Sequence, residues 1–221
     1  MNLSASEAVI ELPKTEVSDR LMSVCICGWY FNESFLKTVA ASGYSAFVVK
    51  HREGDTQGIP SALYENRGLE FGAYRDYILN HWDGESDVLF MHDDTEIIDP
   101  QALYHVTSLR GGSIDHAYIF SSQYEELVNG GAHGRAMWMS RDLIIAIKDS
   151  FPVDEENHGE NIGPRAQKGI VDFHKRVTAE SPNTGLAAII PGFSLGHRGH
   201  LNNKVWVFKR TNTTPGNILN A

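Results

Sequence analysis

The chain has only two cysteines in 221 residues, Cys25 and Cys27, set two apart in "SVCICGW". On a strand this spacing puts both thiols on one face and makes them reduced core residues. Two neighbouring thiols complete no zinc site and supply no disulfide framework. Positive charge is also scarce, with 19 Lys and Arg against 28 Asp and Glu and a formal charge of -9. Such a chain is a poor non-specific binder of nucleic acid, so no nucleic-acid partner is expected. An anionic substrate would need a cation or a few focused arginines. No apolar run approaches the length of a membrane span. The start, "MNLSASEAVIELPKTEVSDR", lacks the basic and apolar regions of a secretion signal. A cytoplasmic location is therefore expected, which leaves room for peripheral contact with a membrane. Two phosphate-binding signatures are missing: no G-x-G-x-x-G follows the first strand, and no G-x-x-x-x-G-K-[ST] occurs.

What is present describes a globular domain. Hydrophobic residues make up 42% of the chain and charged ones 21%, and the length suits one domain, or one with a small subdomain. Apolar runs alternate with segments of helical spacing. "LMSVCICGWYF" reads as a buried strand, and "NESFLKTVAAS" as a short helix stopped at Gly43. "YSAFVVKH" is a second strand that opens into the loop "REGDTQGIPSALYEN", and "GLEFGAYRDYILNHW" reads as a helix. "DVLFM" is the next strand. "DPQALYHVTSLR" follows as a helix, with Asp99 as its cap and Pro100 at its first position. "HAYIFSS" is another strand, "GGAHGRAMWMSRDLIIAI" a strand or loop and then a helix. "FPVDEENHGENIGPRAQKGIVDFHKRV" puts an acidic loop before a helix, and "AAIIPGFSLGHRGHLNNKVWVFKR" holds strand signals around a loop with two histidines. The alternation predicts an α/β sheet with helices on both faces.

The most informative stretch is "VLFMHDD", where His92, Asp93 and Asp94 stand at the point where a buried strand runs out. In open α/β sheets ligands gather outside the carboxyl ends of strands. Hard oxygen ligands there suit Mg²⁺ or Mn²⁺ bridged to substrate phosphates. The competing reading is a solvated turn leading into a helix whose positive end favours Asp. Arg67 and Arg75 fit either phosphate contacts or surface ion pairs. Trp29 is suited equally to stacking on a base or to filling the core, and Tyr30 reads as a core residue.

Taken together, "VCICGWYFNESFL", "ENRGLEFGAYRDYIL" and "VLFMHDDTEIIDPQAL" resemble, in that order, the GT-A-type glycosyltransferases. The likeness is to the family-2-like group and its rhamnosyltransferase-like relatives, and it runs loosely to about Gly169. The resemblance implies a single GT-A-like domain over residues 21–210, with a mixed, mainly parallel central sheet flanked by helices. Residues 21–110 would mainly bind a nucleotide sugar and 111–210 would serve the acceptor and catalysis, between a polar leader (1–20) and a flexible tail (211–221).

By the same resemblance Asp94 is a metal ligand and Asp93 contacts ribose or sugar. His92 stands where the family has its first Asp, and imidazole suits Mn²⁺ better than Mg²⁺. Trp29, Asn32, Glu33, Asn66, Arg67, Gly68 and Glu70 would hold the nucleotide sugar. In "GENIGPRAQKG", Glu160, Asn161 and Arg165 align with the Glu-Asp pair and Arg of many relatives. Asn161 cannot act as a carboxylate base, which makes Glu160 the leading general base, with Asp154, Glu155 and Glu156 as alternatives. His197 and His200 are candidate late metal or diphosphate ligands, and Arg198 a phosphate contact. The implied reaction is inverting, metal-assisted transfer of a hexose or deoxyhexose from a nucleotide diphosphate sugar to a glycan or other hydroxyl-bearing acceptor. Two other readings stand beside it: a nucleotidyltransferase or other metal-dependent phosphoryl-transfer enzyme, and a non-catalytic binder of sugar nucleotides or glycans.

Overall fold

The structure, a computed structural model, describes residues 22–97, 99, 101–107, 109, 114–120, 136–151, 173, 176–177, 179–181, 186–189, 193–194 and 206–208. Its strands are β1 (Met22–Gly28), β2 (Ser45–Lys50), β3 (Ser61–Leu63), β4 (Asp87–His92), β5 (Glu96–Ile97), β6 (His116–Phe120), β7 (Ala136–Met139), β8 (Leu186–Ile189), β9 (Phe193–Ser194) and β10 (Trp206–Phe208). The helices are α1 (Glu33–Ala41), α2 (Leu69–Asn80), α3 (Gln101–Thr107) and α4 (Arg141–Ile147), the last running into a short 3-10 turn, Lys148–Ser150.

Eight strands form one sheet in the order β10-β8-β6-β7-β4-β1-β2-β3, and β5 pairs with β9 in a separate ribbon. The side made of β3, β2, β1 and β4 is parallel throughout. On the other side β7 runs antiparallel to both β4 and β6, β8 is parallel to β6, and β10 is antiparallel to β8. The protein is thus α/β with a mixed, mainly parallel sheet. The loop expected over "REGDTQGIPSALYEN" contains β3, a three-residue edge strand whose backbone pairs with β2.

Alternation along β1 divides the core. Met22, Val24 and Ile26 face a cluster built with Phe35, Leu36 and Val39 of α1 and Ala102, Leu103 and Val106 of α3. Cys25 and Cys27 face the opposite cluster, with Phe71, Tyr74, Tyr77 and Ile78 of α2 and Leu143, Ile144 and Ile147 of α4. Helices therefore cover both faces, and both thiols are free and buried. Burial of each large apolar side chain here stabilises the fold by roughly 1.5–3 kcal/mol.

Local chemistry sets the helix ends. Asn32 caps α1, its side-chain oxygen accepting from the Phe35 amide at 3.3 Å, and Gly43 beyond the other end takes φ +82°. Asp99 caps α3 as expected, accepting from the Gln101 amide at 2.9 Å. Entry to α2 is tighter. Gly68 and Leu69 both have positive φ, and a Cβ on Gly72 would lie 1.6 Å from the Arg67 carbonyl oxygen. Only glycine fits at 72 while the chain enters α2 this way. Among the described residues no helix is long and apolar enough to cross a membrane.

Candidate functional site

Parallel register brings three strand ends side by side, since Cys27 pairs with His92 and Gly28 with Lys50. This is the carboxyl edge of the parallel side. His51 leaves β2 here, its amide donating to the Gly28 carbonyl at 3.2 Å. His92, Asp93 and Asp94 leave β4 beside it. The Asp93 amide donates to the Cys27 carbonyl at 3.3 Å, which ties the acidic turn to the end of β1.

Asp93 is 1% exposed, and its Oδ2 accepts from the backbone amides of Trp29 at 2.9 Å and Phe31 at 2.5 Å. Burial pushes its carboxyl up, and these amides and the His92 charge pull the other way without cancelling the rise. Asp94 stands 3.7 Å from His92, Oδ1 to Nδ1. Burial, then the Glu70, Asp93 and Asp94 charges, push the Cys27 thiol well up, which places all three carboxylates around the end of β1. Burial, then the charge of His92, holds His51 at about 4, so both imidazoles belong to the same cluster.

Several side-chain atoms are buried here without a hydrogen-bond partner among the described residues: His51 Nε2, Asn66 Oδ1, His92 Nε2, Asp93 Oδ1, Asp94 Oδ1 and Thr95 Oγ1. Each such group costs about 1–3 kcal/mol in a closed interior, so this edge is where partners from outside the described residues would be gained most readily. Among the described residues no three His, Cys, Asp or Glu converge closely enough to hold a metal ion. His92 and Asp94 supply two donors, one imidazole nitrogen and one carboxylate. This set suits Mn²⁺ or Mg²⁺ only if further ligands come from elsewhere.

The other residues singled out in the sequence divide into three groups. Trp29 is 40% exposed beside the acidic turn, with the Arg52 guanidinium 5.4 Å from its ring centre. Glu70 is almost buried on α2, facing Cys27, and Gly68 is buried at the start of that helix. In the second group the side chain is engaged locally. Asn32 caps α1, Glu33 pairs with Lys37 in solvent, and Arg67 pairs with Glu65 at 2.6 Å. That ion pair and Arg75 line a cleft of about 460 Å³ with Tyr64, Asp76, Asp149 and Phe151. The third group, Asp154, Glu155, Glu156, Glu160, Asn161, Arg165, His197, Arg198 and His200, lies outside the described residues.

Tyr30 is a correction. Expected in the core, it is 61% exposed, because the Asp93 carboxylate turns the chain at 29–31 and Phe31 goes inward instead. The Phe31 ring lies against Gly54 and Gly28, where a Cβ would meet it at 2.2 and 3.3 Å. His51 is not among the residues singled out in the sequence. It is the residue after a buried strand, so the strand-end rule that singled out His92 applies to it equally.

No protein-family profile matches the chain, and neither does any curated protein. Among solved structures it is similar to the apo form of the glycosyltransferase GlyE from Streptococcus pneumoniae TIGR4, at 12% identity and a TM-score of 0.35. The match covers 71% of this chain and 44% of that one, so the chain spans less than half the length of that structure. A likeness of this order carries no functional argument, which rests on the site.

Proposed function

We propose that the chain is a GT-A-like glycosyltransferase. It would move a hexose or deoxyhexose from a nucleotide diphosphate sugar to an acceptor hydroxyl, with inversion at the sugar. The observation that carries this reading is the set of buried polar atoms at the carboxyl edge that have no hydrogen-bond partner among the described residues. Imidazole, carboxylate and carboxamide groups there suit a ligand with hydroxyls and phosphates, next to an exposed aromatic ring suited to a base.

Seven described residues have a part in this reading. Trp29 stacks on the base, with Arg52 beside it. Asn66, Gly68 and Glu70 face the nucleotide or sugar, and Glu70 and Asn66 are placed for hydroxyls. His92 and Asp94 would hold Mn²⁺ or Mg²⁺, which when bound supplies positive charge against the departing diphosphate. His197, His200 and Arg198 remain proposals for completing that charge, and Glu160, or Asp154 or Glu156, for taking the acceptor proton. A carboxylate that activates the hydroxyl opposite the leaving group inverts the sugar centre. The acidic surface makes a focused cation the natural way to admit a diphosphate.

The test is to incubate the purified chain with nucleotide sugars of several bases, Mn²⁺ or Mg²⁺, and a panel of glycan acceptors. Release of nucleoside diphosphate that depends on acceptor supports glycosyl transfer. Release of pyrophosphate from a nucleoside triphosphate and sugar phosphate points instead to nucleotidyl transfer. Saturable binding with intact donor after prolonged incubation points to a non-catalytic binder.

A further inference from the structure

Two neighbouring aspartates in one turn are in different situations. Each keeps a buried Oδ1 without a hydrogen-bond partner among the described residues, and Asp94 lies near an imidazole, but Asp93 alone has committed its other oxygen, Oδ2, to two backbone amides 62 and 64 residues away in sequence. Those amides belong to Trp29 and Phe31, and Phe31 has φ +57°, a conformation in which a bulky side chain is an outlier. Such a backbone persists only when its surroundings enforce it.

The enforcing contacts are on both sides of Phe31. Its amide is held by Asp93 and its ring lies on Gly54, where no side chain would fit. Arg52, two residues before Gly54, places its guanidinium 5.4 Å from the Trp29 ring centre and 5.9 Å from that of Phe31. The loop after β1 and the loop after β2 are therefore joined, and the joint is anchored on β4 by one carboxylate oxygen.

We propose that Asp93 is a positioning residue: through the Trp29 and Phe31 amides it sets the Trp29–Arg52 platform that receives the donor's base. This rests on the reading that a nucleotide sugar binds at this edge, and gives the two aspartates separate work. Asp94 faces the ligand, and Asp93 Oδ2 faces the protein. What Asp93 supplies is an acceptor oxygen at a fixed place, so an amide in the same position keeps most of the effect.

The experiment uses the full chain labelled with 5-fluorotryptophan, whose four tryptophans give separate ¹⁹F lines, the Trp29 line being assigned with Trp29→Phe. Asp93→Ala is expected to move the Trp29 line and leave those of Trp82 and Trp138 in place, while Asp93→Asn leaves all of them near wild type. With uridine, guanosine and thymidine diphosphates as probes, Asp93→Ala and Trp29→Ala should each weaken binding about tenfold, and the double variant no more than either alone. An unmoved Trp29 line in Asp93→Ala, additive losses in the double variant, or Asp93→Asn as damaging as Asp93→Ala would each overturn the proposal. In the wild type, slow hydrogen exchange at the Trp29 and Phe31 amides is expected, and rapid exchange sinks the idea even if Asp93→Ala does not fold. If the line moves as expected but none of the diphosphates binds the wild type, the anchoring stands and the donor-site reading falls.

Discussion

The two ends of strands β1 and β4 use similar residue types with opposite results. At the amino end, polar side chains are buried and partnered. The Ser86 hydroxyl meets both Ser23 Oγ at 2.8 Å and Asp83 Oδ1 at 2.9 Å, and Asp87 Oδ1 accepts from the Arg141 amide at 2.9 Å. Burial pushes the Asp83 carboxyl up, but the Ser86 and Glu85 amides and the Ser86 hydroxyl outweigh it and leave it below its ordinary value. At the carboxyl end, His51, His92, Asp94 and Asn66 keep buried atoms with no hydrogen-bond partner among the described residues. One end has its polar groups partnered within the fold, and at the other they have no hydrogen-bond partner among the described residues.

This contrast predicts opposite mutational behaviour. The largest effect is expected from Asp94→Ala, which should cut nucleoside diphosphate release by about a thousandfold. Its urea midpoint should hold or rise, because a buried oxygen with no hydrogen-bond partner among the described residues is removed. A turnover close to wild type would break the assignment of that edge to function. Next comes Gly72→Ala, which drives a methyl group into the Arg67 carbonyl and should cost about 3 kcal/mol in urea unfolding. A near-neutral result there would mean that the entry to α2 relaxes easily.

Ser86→Ala tests the other end. It should cost about 1–1.5 kcal/mol and leave turnover per folded molecule unchanged, so a loss of activity without a loss of stability would erase the comparison. The smallest effect concerns His51, held at about 4 by burial and by the His92 charge against an ordinary value of 6.5. Between those values the unfolded chain binds the extra proton, so stability is lost as pH falls from about 6.5 to about 4 and levels off below. His51→Gln should flatten this part of the stability curve, by on the order of 1 kcal/mol with solvent screening allowed for. Parallel curves for the two proteins would place His51 outside the buried edge.

Elements whose signals are local were legible in the sequence. The buried run of β1, the Asp99 cap, the stop at Gly43 and the apolar strand before His92 correspond to features of the structure. The side chains of the edge were less legible, because their direction depends on pairing across 60 or more residues. Nothing near Tyr30 says that Asp93 will claim the amides on either side of it and send Phe31 inward. Sequence left Arg67 open between a phosphate contact and a surface ion pair, and it does not show a three-residue strand such as β3, which is defined by pairing with β2 rather than by its own pattern. His51 was legible in principle, since it ends a strand as His92 does.

The placement of Cys25 and Cys27 has a practical consequence. Both thiols face inward from β1, which is flanked by β2 on one side and β4 on the other, and burial pushes both well above the ordinary thiol value. A maleimide can reach them only when α2 lifts from the sheet or β1 separates from its neighbours. Labelling kinetics would therefore act as a built-in clock for opening of the central strand, with no foreign reporter added and no native cysteine to remove.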